Sequence, residues 1–541
     1  PLQIHYFRML AQIPYILFIT GKTCTVDERV FRIFPERRLA FRRKSHYTDK
    51  RPRFLRLQEV SMIRSIPVAL LFLILALPMA AAAAPGEEPA TLTIEPRKTI
   101  RVFDDALLGV NDSWPELTEL NRLTGPAPLL RPKCGTIGIV ASQMRPTLFR
   151  MAGVDSQFLD WKKNPGSGYA VSARAGTSRV GLLRHLASIR RQNPDAGYIW
   201  TVNMVRNTPE DARDLAEFLA GGSDTLWGKL RIDLGCPEPM PPAIWELGDE
   251  LDYNYSRFGS ASACARECQR YIFAIRSVIP DARFAVPAVT APWTERSKGK
   301  LPEFNRLLLD ALAGEIDFLS FHPYLRDLPP AVAEPYFDLL AREIADSRNP
   351  GIRLLVTEPA LPLSGTSGNL QARRLRSESL AGCLEEAEWF LFLLNRPEVG
   401  AATLFHLPPG IRGMTATAGA LPYETGTAKL YRFLRRIPPD SELLRSTLSG
   451  DAATFGRGQT LGAAALKSPD GKELYLLFNN LSPDTARPTV LRFLREREWQ
   501  LESAVCLSAP ELSSRNTETE QPIAETVLPT APGEPLSKLT I

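Results

Sequence analysis

Four short runs in the chain pass from apolar residues into polar ones that could do chemistry. They are Trp-Glu-Leu-Gly-Asp-Glu (245–250), Leu-Leu-Val-Thr-Glu (354–358), Ser-Phe-His-Pro-Tyr (320–324) and Thr-Val-Asn-Met (201–204). The first two each deliver a carboxylate where an apolar run stops, Glu250 and Glu358. Two carboxyl groups facing each other across a sugar-sized gap are what cleavage of a glycosidic bond needs. One protonates the leaving oxygen, and the other attacks or stabilises the oxocarbenium-like carbon. At a separation of about 5 Å the second carboxylate attacks directly and configuration is retained. Mutual repulsion and burial would keep one of the two protonated for its work as an acid. A single Glu at a strand end is more often structural or solvated than catalytic; the pair, with His322 and Tyr324 between them, is the specific signal. Glu246 is a rival on the same run, but alternation sets it deeper in the barrel.

Such groups need a frame that brings distant strand ends to one mouth. From about residue 105 to 437 short apolar runs alternate with longer amphipathic stretches, which predicts parallel strands joined by helices. Eight strands are expected: Leu107–Asn111, Thr147–Gly153, Tyr198–Val205, Ala243–Glu250, Arg283–Val289, Ile316–Pro323, Ile352–Glu358 and Ala401–His406. Eight is the number of a (β/α)8 barrel, whose functional groups collect at the C-terminal strand ends. Helices are expected over Ser178–Gln192, Thr208–Ala220, Ser260–Val278, Pro302–Ala313, Ala331–Asp346, Ser377–Leu394 and Thr427–Arg436, with no single helix over 115–146. After about residue 438, runs such as Leu461–Leu466 and Glu473–Phe478 around Ser-Pro-Asp-Gly (468–471) predict antiparallel strands. The fold class is therefore α/β, a (β/α)8 barrel over 105–437 followed by an antiparallel β-sandwich over 438–541 that residues 91–103 would complete.

Charge and composition narrow the alternatives. Hydrophobic residues make up 44% and charged residues 23% of the 541, ordinary for a globular protein with a large core. The net charge of +5 is local: residues 1–61 carry 13 Lys/Arg against 5 Asp/Glu, and the remainder is slightly acidic. A nucleic-acid partner is not expected on that basis. Met62 opens an export pattern, with an apolar run from Ile66 to Leu77 and a small-residue exit through Ala84. Residues 62–84 are expected to be a signal peptide and 1–61 upstream or disordered sequence. A secreted or periplasmic product without stable membrane insertion would follow; the alternative is a membrane anchor. Cys134, Cys236, Cys264, Cys268, Cys383 and Cys506 follow Met62, and Cys264 and Cys268 are expected as buried thiols on one helix face. No zinc pattern or nucleotide-binding glycine loop is present, so neither metal nor cofactor is expected. Oligomeric state is left open.

The motifs resemble the clan of retaining glycoside hydrolases with catalytic glutamates on strands four and seven, closest to the α-L-arabinofuranosidases of glycoside hydrolase family 51. The resembling pieces are Leu-Gly-Val-Asn (108–111), Phe-Arg-Met-Ala-Gly (149–153), Trp-Glu-Leu-Gly-Asp-Glu (245–250), the His-Pro-Tyr of strand six and the terminal β-sandwich. The resemblance implies a carbohydrate substrate, Glu250 as acid/base and Glu358 as nucleophile, with sugar contacts from His322, Tyr324, Asn203 and Arg150. Trp161 could stack on a sugar or serve the core, His406 could line the site, and His185 reads as structural. Xylosidase, glucuronidase, endoglucanase and a silent carbohydrate-binding barrel are the alternative readings. The chain departs from the family at Asp249, where the family has Asn, and at Arg150-Met-Ala-Gly-Val, where it has Arg-x-Pro-Gly-Gly.

Overall fold

The structure is a computed structural model. It describes residues 15–16 and most of 89–541; the main stretches outside the description are 113–143, 154–159, 172–177, 252–257, 290–300, 324–329, 360–369, 405–414, 482–487 and 529–537. The described residues belong to one compact unit. Among them no helix is long and apolar enough to cross a membrane. The expected export segment, Tyr324, His406 and Cys134 lie outside the described residues.

Eight parallel strands close into a barrel. In order they are Gly109–Asp112, Leu148–Met151, Gly197–Thr201, Ile244–Glu246, Phe284–Pro287, Phe318–Phe321, Arg353–Val356 and Val399–Leu404. The first seven are shorter than their expected runs, because the polar residues at the ends leave the ladder and form the rim, and the eighth keeps its expected length but begins and ends two residues earlier. Closure occurs where the eighth strand pairs with the first, Thr403 opposite Gly109. A Cβ at Gly109 would lie 2.6 Å from the Ala402 carbonyl oxygen, so only glycine permits this approach.

The barrel interior is stratified. Leu148, Ile199, Ile244, Ala285, Phe318, Leu355 and Ala401 form a separate apolar cluster. One step along each strand, residues such as Phe149, Trp200, Trp245 and Val356 join the large outer core beneath the helices. Two steps along, the inward positions are Arg150, Thr201, Glu246, Pro287, Ser320, Thr357 and Thr403, joined by Asn111; all but Pro287 are buried polar residues. A dry apolar floor thus carries a polar layer, and the rim stands above it.

The helices follow the expected alternation. Pro209–Ala220 starts in a capping box, with Thr208 accepting from the Asp211 amide. Ala261–Arg276 is capped by Ser260, and its inner face buries Cys264 and Cys268. The run expected as one helix over 377–394 is two, Leu370–Glu378 and Leu380–Leu394, divided where Ser379 caps the second. An eight-residue helix at Leu226–Asp233 was not expected, and residues 178–180 form a strand instead of a first helical turn.

Ala90–Val102 and five of the C-terminal strands form a six-stranded sheet ordered 474–480, 461–467, 442–449, 90–102, 488–493, 538–540. It is mixed, not antiparallel throughout: Ala90–Val102 runs parallel to Pro488–Phe493 and antiparallel to Glu442–Ser449. A strand arriving from the N-terminal side need not follow hairpin polarity. Its pairing with Glu442–Ser449 jumps from Thr99 to Glu95, leaving Pro96, which lacks an N–H, in the bulge. Leu92, Ile94, Leu443 and Leu466 share one core with the barrel's outer helices.

Candidate active site

The polar layer is organised by Arg150, which is fully buried. Its Nε donates to Glu246 Oε2, Nη1 to Glu358 Oε1 and Nη2 to Asp249 Oδ1, each at 2.6 Å. Nη1 also reaches Asn111 Oδ1 at 3.2 Å. Burial alone would strip the charge from Arg150, but Glu246, Asp249 and Glu358 more than reverse it and raise its pKa. Asn111 Nδ2 donates to the Thr403 carbonyl at 2.7 Å and to that of Thr357, which ties the closing strands to the guanidinium's support.

His322 stands over this layer at the end of the sixth strand. Its Nδ1 lies 3.2 Å from Glu250 Oε1 and 3.8 Å from Glu358 Oε2, while Nε2 lies 3.7 Å from Asp249 Oδ1. Burial lowers the imidazole pKa, but the Glu358 charge, the bond to Glu250 and the Asp249 charge lift it to about 9 against Arg150. At neutral pH it is an imidazolium facing both rim glutamates.

The fourth strand ends in a tight reversal. Gly248 has φ +83 and Glu250 φ +45, a left-handed conformation that costs a non-glycine residue about 1–3 kcal/mol. The turn sends the two neighbouring carboxyls apart. The Asp249 side chain is 2% exposed and faces Arg150, whereas that of Glu250 is 27% exposed and faces the mouth. Glu358, at 10%, lies between these extremes. Burial raises the Asp249 pKa to about 7, opposed by Arg150 and His322 and aided by Glu358 and Glu250. The short Arg150 bond favours the anion, but full burial outweighs it, so the shift is upward.

Gly153 passes directly over the centre. Its φ is +42, and a Cβ there would stand 3.1 Å from both Arg150 Nη1 and Glu358 Oε1. Asp249, His322 and Glu358 present donor atoms within 4.8 Å of one another, a metal-like spacing, but Arg150 and His322 supply the positive charge there.

The structure thus gathers Glu250, Glu358, Asp249, His322 and Arg150, and corrects two expected roles. Arg150 has no exposed surface for a sugar, because its nitrogens are taken by carboxylates. Trp161 is 3% exposed and packs against Phe218 and Trp227, ring centres 5.2 and 5.1 Å away, so it is a core residue and not a sugar platform. Asn203 turns to its own loop: Nδ2 donates to Asn207 and Oδ1 accepts from the Arg206 amide. His185 is buried with Nε2 3.3 Å from Asp112 Oδ2; burial lowers the histidine to about 3 and raises the aspartate to about 7. Asn111 and Glu246 are structural partners of the centre that motif reading did not assign. The readable signal was a polar residue at an inward position of a short apolar strand.

No family model matches the chain. The structure is similar to the α-L-arabinofuranosidase of Thermotoga maritima solved with arabinose, at TM-score 0.68 and 17% identity over 83% of this chain and 98% of that one. It is likewise similar to the family 51 arabinofuranosidase of Xanthomonas axonopodis pv. citri, at TM-score 0.67 and 16% identity over 83% and 96%. The fold is that of the family 51 arabinofuranosidases. In sequence, 149 residues are 26% identical to an intracellular exo-α-(1→5)-L-arabinofuranosidase of Streptomyces lividans, 27% of this chain and 22% of that relative's length. The family 51 fold unites barrel and sheet over nearly the whole solved relative, so the sheet is part of the shared architecture.

Proposed function

We propose that the protein is a retaining glycoside hydrolase that releases α-L-arabinofuranosyl units, with Glu250 as acid/base and Glu358 as nucleophile. The observation that carries this reading is the convergence of both glutamates, from strands four and seven, on Nδ1 of His322 at the barrel mouth. Glu358 is oriented by the hydrogen bond from Arg150, which suits a nucleophile, while Glu250 is the more exposed, which suits a donor to the leaving oxygen. In the first step Glu358 forms a bond to the anomeric carbon as Glu250 gives its proton to the departing oxygen. In the second, Glu250 takes a proton from water, which attacks the same carbon and releases Glu358. A centre lined by four carboxyl groups, with its guanidinium buried against three of them, favours neutral sugars over uronic acids. We also propose export, directed by residues 62–84, on the apolar run and alanine-rich exit.

A panel of aryl glycosides tests the reading, with turnover of the α-L-arabinofuranoside expected above xyloside, glucoside and glucuronide. Turnover of another sugar alone would move the substrate assignment. Binding of arabinose without any turnover would support the silent barrel.

A further inference from the structure

We infer that Glu246 is a positioning residue of this centre, fixing the orientation of Arg150 and through it the placement of Glu358 and Asp249. The inference rests on the catalytic reading above. A guanidinium is a rigid fork, so the direction of Nε–H determines where both terminal nitrogens point. Glu246 Oε2 takes that Nε–H at 2.6 Å from within the barrel, leaving Nη1 on Glu358 and Nη2 on Asp249.

Glu246 is itself rigidly held. It is fully buried, Thr201 Oγ1 donates to the same Oε2 at 2.9 Å, and Thr201 is its register partner on the third strand. Its backbone carbonyl accepts from the amides of Val202 and Gly248 at 2.7 and 2.9 Å. Below it on its own strand lies Ile244 of the apolar floor, so it cannot retract toward water. A structural ion pair could be replaced by apolar residues at little cost; this one lies three residues before Asp249 on the same strand end and shares its cation with Glu358. It therefore contributes a fixed direction and a fixed negative charge to the centre. The titratable groups facing that charge are Arg150 from the second strand, Asp249 and Glu250 from the fourth, His322 from the sixth and Glu358 from the seventh, with Asp112 and His185 beyond Asn111.

Two conservative changes separate the two contributions. Glu246→Gln keeps an oxygen for Nε but removes the charge. Arg150 then draws more strongly on its remaining carboxylates, and both limbs of the pH–rate profile should move down by roughly half to one pH unit. Glu246→Asp keeps the charge but shortens the reach. The limbs should stay in place while kcat falls about tenfold with little change in KM, as expected for misplacement of the reacting groups. Melting temperatures accompany each measurement. If Glu246→Gln does not fold, the kcat-against-KM split of Glu246→Asp decides. The same pH shift is read without turnover in the Kd of imino-L-arabinitol, a cationic furanose mimic whose binding follows carboxylate ionisation. A parent protein that binds the mimic but turns nothing over would overturn the catalytic reading alone. Unmoved pH limbs in Glu246→Gln, or an unchanged kcat in Glu246→Asp, would overturn the positioning role.

Discussion

Glu250 and Glu358 reach the same atom, His322 Nδ1, at 3.2 and 3.8 Å. The imidazolium therefore lies against both rim carboxylates, and each responds differently to loss of its partner in chemistry. Glu358→Ala should abolish turnover, a loss of several orders of magnitude, and azide should return it as a glycosyl azide of inverted configuration. Glu250→Ala should slow substrates with poor leaving groups far more than dinitrophenyl glycosides. Equal damage to both substrate classes would remove Glu250 as the acid.

His322 is also a pH-dependent stabiliser. Its folded pKa of about 9 lies above the ordinary 6.5, so its contribution is complete below pH 6.5 and disappears as pH rises through about 9. Denaturant unfolding of the parent and His322→Gln should differ most at pH 6 and converge above pH 9. A gap that persists in alkali would place the effect in packing alone.

Asp249 loses its contribution in the same direction, over a lower pH range. Its pKa of about 7 exceeds the ordinary 3.8, so stability and any donor role are present in acid and decline as pH rises through neutrality. Asp249→Asn should extend activity toward neutral and alkaline pH and raise stability above pH 7, with no gain near pH 3. The pH–rate and pH–unfolding profiles of the two proteins check it; an inactive Asn variant beside a parent with a neutral optimum would reject it.

Arg150→Met should cost about 3–5 kcal/mol, because three buried carboxylates lose their cation at once. Arg150→Lys keeps a charge but cannot meet three acceptors in a fork, and should recover stability only in part. Urea unfolding at neutral pH measures both.

Trp161→Ala should destabilise by about 3–5 kcal/mol, the range for removing a packed aromatic side chain. Trp161→Phe should leave KM for the best aryl glycoside unchanged within twofold. A large rise in KM with normal stability would return Trp161 to the sugar site.

The barrel was legible because its strands are short apolar runs at the spacing of βα units, and Glu250, Glu358 and His322 were legible because each sits where such a run stops. The rim could be read since polarity changes there abruptly. The layer beneath could not. Arg150 looked like a ligand contact because motif spacing does not show which way a guanidinium turns, and Glu246 is distinguished from a solvated Glu only by what encloses it. Trp161 was undecided for the same reason: stacking and core packing demand the same residue. The parallel pairing of Ala90–Val102 was missed because register between strands nearly four hundred residues apart leaves no local trace.

The placement of Ala90–Val102 has a consequence for synthesis. This strand leaves the ribosome before any barrel strand, yet both its neighbours, Glu442–Ser449 and Pro488–Phe493, are made after the eighth barrel strand. The barrel's own pairings can all be made while that early strand still waits with both edges open. Final closure of the molecule thus depends on its last hundred residues, and an interrupted chain carries an unpaired strand beside an otherwise finished barrel.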